Sequence, residues 1–306
     1  MWPFILRRLL QGLISIVGVS VVIFMISRLS GDPLLIILPP DAPPSLIEAT
    51  RQNLGLDQPI WTQYLIFAKN ALMGDFGRSY RWEVPALQLI LERLPATMLL
   101  ALCALIFSMV IAIPVGVLSA VHRGGWIDQI GRVFAMLGQA MPAFWVGLLL
   151  IMVFAIYLNW LPAFGSGTPS HLILPAISLG WYPVAAQTRI VRSAMLDVLD
   201  SDYIRLSRSL GTPERQIVWK YALRNASIPL LTMLGVYFAG MLGGAFVVET
   251  IFAWPGVGRT VVEAVFSRDF PVVQAGVLFA SILFVLSNLL VDLSYGFLDP
   301  RIRHAR

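Results

Sequence analysis

Six stretches of this chain are too long and too poor in charge to be the core elements of a water-soluble domain. No Asp, Glu, Lys or Arg occurs in Thr97–Val121, Val133–Leu158, Leu172–Thr188, Ile228–Val248 or Pro271–Val291, and Leu9–Leu29 carries only Arg28, at its end. At 1.5 Å of rise per residue, roughly 20 apolar residues cross the hydrocarbon layer of a bilayer. Inside that layer a helix satisfies its own backbone groups, which an irregular chain cannot do. The expectation is an all-α membrane protein with six transmembrane helices. Composition agrees: 58% of residues are apolar, 13% are charged, and mean hydropathy is +0.78, against about a quarter charged in soluble domains. A cytosolic enzyme, a disulfide-rich secreted fold and a disordered tail are excluded.

The net charge of +5 and the pI near 9.7 reflect where the arginines lie rather than an affinity for nucleic acid. They gather between the apolar runs, as orientation signals do. Arg7 and Arg8, then Arg123 and Arg132, then the 187–227 loop, then Arg301, Arg303 and Arg306 occupy alternate gaps, which puts both termini in the cytoplasm. The 187–227 loop alone holds Arg189, Arg192, Arg205, Arg208, Arg215, Lys220 and Arg224. No small-x-small cleavage site follows the first run, so it reads as a retained signal anchor. The fourth run is short, is broken by Pro175, Gly180 and Pro183, and is expected to continue past Arg189.

The expected organisation is an N-terminal membrane helix over 1–30, an external segment over 31–96, a five-helix core over 97–298 with a cytoplasmic loop at about 200–227, and a cytoplasmic tail over 299–306. Within the external segment, Pro44 to Asn53 and Pro59 to Leu72 read as short amphipathic helices near the membrane surface. A second external piece, Glu249 to Phe270, holds the turn-rich Trp254-Pro255-Gly256-Val257-Gly258. Pro114, Pro142, Pro175 and Pro183 predict kinks in their helices.

No energy source is written into the chain. A phosphate-cradling loop needs Gly-Lys-Ser/Thr, but Lys69 follows Ala68 and Lys220 follows Trp219. The apolar runs have almost no buried ionisable groups of the kind that mark ion-coupled carriers. One cysteine, Cys103, and three scattered histidines, His122, His171 and His304, offer neither a disulfide framework nor a metal-ligand spacing. No catalytic, cofactor-binding or metal residue is expected. The pattern is that of a pore powered from elsewhere.

The 187–227 loop is where such power would enter. Asp200, Ser201 or Asp202 caps a helix running to Leu210, with Tyr203, Leu206 and Leu210 on one face and Arg205, Arg208 and Ser209 on the other. Gly211 stops it, and Thr212 with Pro213 starts a second helix bearing Ile217, Val218, Tyr221 and Ala222 on one side. Two amphipathic helices hinged at a glycine can dock one face on the membrane domain and offer the other to a soluble partner's groove. A basic loop that merely fixes orientation is the plainer alternative.

Asp202-Tyr203-Ile204-Arg205-Leu206-Ser207-Arg208-Ser209-Leu210-Gly211 and Leu223-Arg224-Asn225-Ala226-Ser227-Ile228-Pro229 together resemble the EAA loop of ATP-binding-cassette (ABC) importer permeases. The resemblance is to the dipeptide/oligopeptide family, in the branch of the first of two paired permease subunits. It extends along the whole chain through Gly31-Asp32-Pro33, Leu54-Gly55-Leu56-Asp57-Gln58-Pro59, Gly74-Asp75-Phe76-Gly77, Trp254-Pro255-Gly256-Val257-Gly258-Arg259, Arg268-Asp269-Phe270-Pro271 and Leu298-Asp299-Pro300-Arg301-Ile302-Arg303. Arg205-Leu206-Ser207 stands where the broad pattern has Glu-Ala-Ala, and Arg224 where it has a proline.

The resemblance implies a type I importer fold in the bacterial inner membrane. It also implies a second, paralogous permease subunit, two cytoplasmic ATPases that bind ATP and magnesium, and an external substrate-binding protein. The implied cargo is di- or oligopeptide, with nickel chelates, glutathione and oligosaccharides carried elsewhere in the family. It makes Tyr203, Arg205, Leu206, Ser207, Arg208, Gly211, Thr212, Pro213 and Glu214 the ATPase-coupling residues.

Gln139 and Asn288 are candidates for the translocation path, or for cross-helix hydrogen bonds. Asp292 is a candidate for substrate contact, or for a bridge to a cytoplasmic arginine. Asp75, Trp254 and Arg259 are candidates for contact with the binding protein, although Trp254 equally suits an interfacial anchor. Gly211 serves as a coupling hinge or as an ordinary helix stop.

Overall fold

The computed structural model describes residues 2–29, 31, 34, 38–39, 41–53 and 55–298, with 2–4, 53, 232 and 291–298 described by backbone alone. The described chain is helical, with one isolated antiparallel bridge, Arg78 to Pro85. The principal helices are α1 (Trp2–Leu29), α2 (Pro44–Asn53), α3 (Ile60–Leu72), α4 (Ala86–Val121), α5 (Trp126–Ala140), α6 (Ala143–Leu150), α7 (Ser170–Leu199) and α8 (Asp202–Ser209). A short α9 (Glu214–Gln216), α10 (Leu223–Ile251), α11 (Val257–Phe266) and α12 (Phe270–Leu298) complete the series. Two π-helical stretches, Ile151–Tyr157 after α6 and Ile217–Ala222 after α9, lead out of their helices without a break.

Among the described residues, four helices are long and apolar enough to cross a membrane: α1, α4, α10 and α12. A fifth span exists if α5 and α6 with its π-helical extension are counted as one element bent by 105°. The sequence predicted one run there with a kink at Pro142. The bend is far sharper, because Met141 is extended (φ −96°, ψ 119°) and Pro142 follows at φ −63°, ψ 146°. A proline ring pushes the preceding residue out of the helical region, and here two consecutive residues leave it.

The fourth run does continue past Arg189, as α7, but α7 does not qualify as an apolar span. Its length is adequate. Its surface faces protein: Leu174, Pro175, Ala176, Leu179, Pro183, Val184, Ala185, Gln187, Val191 and Met195 are among its buried residues. Small residues allow neighbours to approach closely. A Cβ on Gly180 would lie 2.8 Å from the Ala104 carbonyl of α4, and one on Gly138 of α5 would lie 2.5 Å from Ala185.

Packing divides the chain into two compact units, Met1–Thr97 with Pro255–Leu289, and Met98–Trp254 with Leu290–Arg306. In the first, Ile90, Leu89, Val257, Val261, Val272 and Leu278 form the core. The two predicted short helices are present as α2 and α3. α3 lies on α1 through Phe67 stacked on Phe24 at 5.5 Å and Tyr64 edge-on at 5.6 Å, and Tyr64 shares a 2.9 Å hydrogen bond with Ser20. In the second unit, Val117, Val191, Met195, Ile204, Ile217, Val218 and Ala222 form a core that binds α4 and α7 to the loop beyond them.

Candidate functional site

The loop after α7 folds as a helix–glycine–helix element. α8 starts behind extended Ser201 (φ −76°, ψ 153°) and ends at Leu210, whose N–H still bonds the Leu206 carbonyl at 3.0 Å. Gly211 then takes φ +76°, in the left-handed region where only glycine rests without strain. Its N–H bonds Arg208 O at 3.0 Å, and the Thr212 N–H bonds Ser207 O at 3.1 Å, closing the orphan carbonyls of the helix end. Pro213 (φ −61°, ψ 136°) precedes α9, so the second helix begins one residue later than Thr212 capping would place it.

The face of α8 that docks carries Ile204 and not the row of Tyr203, Leu206 and Leu210. Ile204 is fully buried, together with Ile217, Val218 and Ala222 of the second helix, against α4 and α7. Tyr203, Leu206 and Leu210, the apolar row read from the spacing, are 42%, 60% and 76% exposed, and Tyr221 is exposed as well. One isoleucine inserted into a core already supplied by α4 and α7 suffices to hold an eight-residue helix. The leucine row therefore stays on the surface, between Arg205 and Arg208.

Two polar ties brace this element. Arg208 grips Glu214 across the glycine, Nη2 to Oε1 at 2.7 Å and Nε to Oε2 at 3.1 Å. This two-pronged bond holds the Glu214 carboxyl below its usual range and raises the Arg208 guanidinium. Asn225 donates to the Tyr203 hydroxyl at 2.7 Å, linking α8 to the first turn of α10. Arg205 meets Asp202 at 3.4 Å, well exposed, while Ser207 bonds back to its own helix at Tyr203 O.

A further site lies in the same unit. Asp128, fully buried, receives Arg192 of α7 at 2.6 and 2.9 Å, Arg132 at 2.5 and 3.3 Å, and the Gly124 N–H at 3.0 Å. Charge patterning marks Arg132 and Arg192 as orientation charges and does not single out Asp128. The i, i+4 spacing of Asp128 and Arg132 was the available signal.

In the first unit, motifs far apart in sequence are brought together. Buried Asp269 accepts the Ser79 hydroxyl at 2.5 Å and the Arg81 N–H at 3.2 Å on one oxygen. Its other oxygen is buried without a hydrogen-bond partner among the described residues. The Ser79 oxygen in turn accepts the N–H groups of Arg81 and Trp82. A Cβ on Gly77 would touch Pro271 at 3.9 Å, and one on Gly31 would meet the Arg268 guanidinium at 3.4 Å. Burial, with the Asp269 charge nearby, pushes the Tyr80 phenol up, and Arg28 opposes this.

Asp75 is exposed and turns back to accept the Gly77 N–H at 2.9 Å. Arg259 pairs with Glu263 at 2.8 Å, and Arg81 approaches the same carboxylate at 3.6 Å. Trp254 is 5% exposed.

Gln139 is half-buried near the end of α5, and the Asn288 amide donates to its own helix at Phe284 O, 3.1 Å. The Asp292 side chain, Asp32, Pro33, Leu54 and the motif from Asp299 to Arg303 lie outside the described residues, as does Arg306. No cluster able to hold a metal ion occurs among the described residues.

Several apolar helices, two of them bent around a proline break, define a multi-pass helical membrane protein. Residues 112–304 match the model of the family described as binding-protein-dependent transport system inner membrane component. Residues 1–101 match its N-terminal membrane-component domain. The chain belongs to this family of ABC transporter permease subunits.

Its relatives include a dipeptide transport system permease protein of Alkalihalophilus pseudofirmus, 39% identical over 333 residues, covering 99% of this chain and 100% of the relative. Glutathione transport system permease proteins of Escherichia coli and Pectobacterium atrosepticum are 40% and 41% identical over 305 residues, with the same coverage. A solved amino acid ABC transporter shares the fold at TM-score 0.50 and 19% identity, covering 67% of this chain and 92% of that one.

Proposed function

We propose that this chain is one of two permease subunits of an ATP-driven importer that moves di- or oligopeptides into the bacterial cytoplasm. Two cytoplasmic ATPases and an external binding protein complete the assembly, and ATP and magnesium are bound by the ATPases alone. The chain carries no catalytic step. Both termini and the 187–227 loop face the cytoplasm, in keeping with the basic residues there, and α7 is the sixth crossing, enclosed by protein rather than lipid.

The observation that carries this reading is the loop's inverted packing. Ile204 and Ile217 fix it to α4 and α7, while Leu206 and Leu210 remain exposed among arginines. An apolar ridge on a rigid, glycine-hinged element suits a groove on a soluble motor. When the motor closes, the element moves as a body, because its isoleucines are locked into helix packing. The Asp128 brace transmits that motion from α7 to α5 through charge-assisted bonds to Arg192 and Arg132. The peptide assignment rests on likeness to dipeptide and glutathione permeases, and glutathione is the runner-up cargo.

Two experiments test the two halves of the proposal. Cells lacking the chain are offered labelled dipeptide, longer peptide, glutathione and nickel chelate separately. Loss of dipeptide or longer-peptide uptake alone is expected, and loss of glutathione alone would replace the cargo assignment. Gly211→Arg is expected to leave the chain in the membrane and to separate ATP hydrolysis from uptake. Wild-type uptake by that variant would remove the coupling role.

A further inference from the structure

The second unit contains an open groove of about 470 Å³, lined by Arg123, Arg132, Arg189 and Arg192, with Ala135, Met136 and Leu196 between them. Two of its guanidiniums are committed to Asp128. Arg123 makes a long, exposed contact of 3.6 Å with Asp200. Arg189 is exposed and faces no acidic group within salt-bridge distance among the described residues. The lining carries four positive charges against Asp128 and Asp200, so the groove is electropositive even with its ion pairs formed.

The arginines lie where the apolar sequence stops. Arg189 directly follows the uncharged run ending at Thr188, and Arg132 directly precedes the run starting at Val133. Along α5, Val133, Met136 and Leu137 are 49%, 71% and 51% exposed, an apolar track leading away from the charged end. Guanidiniums at the level of the headgroups beside a strip at the level of the chains form an amphiphilic site. An inorganic anion would use the first half only.

We infer that this groove binds the phosphodiester headgroup of an anionic phospholipid, with Arg123 and Arg189 as the available cations and an acyl chain lying along Val133, Met136 and Leu137. Arginine suits the ligand, because its planar fork matches phosphate oxygens two at a time. Basic residues near a membrane surface contribute about fivefold each in affinity for anionic lipid. The inference rests on α5 and α7 lying in a membrane, and is independent of the cargo and of ATPase coupling.

The test uses the full-length chain with its co-purifying subunits, equilibrated with equal amounts of phosphatidylglycerol and phosphatidylcholine and analysed by native mass spectrometry. Wild type is expected to retain phosphatidylglycerol preferentially. Arg189→Gln with Arg123→Gln should reduce that preference by more than tenfold while the Asp128 brace, and with it the fold, stays intact. A second reading adds inorganic phosphate or dipeptide as competitor, and neither should displace the lipid. Equal retention of the two lipids, or an unchanged preference in the variant, would overturn the site. Displacement by phosphate would make it a free-anion site, and displacement by dipeptide would make it the mouth of the translocation path. ATP turnover stimulated by the binding protein reports on coupling separately, so failure of one reading is distinguishable from failure of the other.

Discussion

The helix–glycine–helix loop and the region around Asp269 are both irregular pieces of chain between long helices, and they are held in opposite ways. Around Asp269, residues 77–86 and 268–271 are tied by buried and half-buried hydrogen bonds through Ser79, the Arg81 and Trp82 amides and the Asp269 carboxylate. The loop is held by two buried isoleucines and an exposed arginine–glutamate pair, and its largest apolar side chains face outward. The first region is tied by bonds within this chain, so its geometry does not call for another subunit. The second leaves contact surface unspent, which is expected of a part completed by another subunit. The same contrast separates α7, with half of its residues buried among its neighbours, from α1 and α4, whose apolar residues remain largely open.

The comparison breaks most visibly at the loop's anchor. Ile204→Ala removes a fully buried side chain and should cost about 2–4 kcal/mol of local stability, read as faster hydrogen exchange in α8 and in residues 217–222. If exchange there is unchanged, the loop is not held by Ile204, and the distinction between anchor and ridge fails. Asp269→Asn is the matching change in the other region. The Ser79 hydroxyl and Arg81 N–H can still bond the amide oxygen, while the second carboxylate oxygen has no hydrogen-bond partner to lose. The cost should be about 1 kcal/mol, confined to residues 77–86 and 268–271, with α8 unaffected.

Much of this was legible beforehand, because the signals were long-range in composition and short-range in geometry. Long apolar runs, five of them uncharged and the first carrying only Arg28, pointed to a helical membrane protein, and Pro44–Asn53 and Ile60–Leu72 occur where breakers and periodicity placed them. Gly211 was readable as a positive-φ stop, since glycine is the residue that tolerates one. What periodicity could not supply was the choice of face. α8 has an apolar residue on each side, Ile204 on one and Leu206 with Leu210 on the other, and only the presence of α4 and α7 decides which is buried. The sharpness of the Met141–Pro142 break was hidden for a related reason. Pro175 and Pro183 sit within a continuous helix in α7, so proline alone does not determine whether a helix bends or ends. Asp128 was overlooked because its second partner, Arg192, is distant in sequence.

Gly211→Asn sharpens the comparison without breaking the fold. A Cβ at this position meets nothing within 4 Å, and asparagine tolerates positive φ better than other side chains. Stability should therefore fall by only about 1 kcal/mol, whereas ATP-driven uptake should drop if the added bulk meets the ATPase. Retained uptake would return Gly211 to the role of a simple helix stop. Leu206→Asp with Leu210→Asp goes further in the same direction. Substitutions at exposed sites usually change stability by no more than about 0.5 kcal/mol, so the isolated chain should be indifferent and co-purification of the ATPases should be lost. Undiminished co-purification would mean that the ridge is not the contact.

The smallest effect concerns the exposed pair that spans the hinge. The Glu214 carboxyl is held below its ordinary value by the two-pronged bond to Arg208. A group whose folded pKa is depressed stabilises the fold above its unfolded value and loses that contribution as pH falls through the folded one. The window therefore opens near the ordinary carboxylate value of 4.5 and extends downward. Because both side chains are about half exposed, water screens the pair and the gain stays in the range of about 0–1 kcal/mol. The Gly211 and Thr212 amides, which close the helix end on Arg208 and Ser207, should exchange slightly faster than the pH trend of ordinary amides as the pH drops below that value. Glu214→Gln should remove this excess. If the same excess persists in the variant, the hinge is held by its backbone bonds alone, and the loop has no polar restraint across Gly211 comparable to those that fix Asp269.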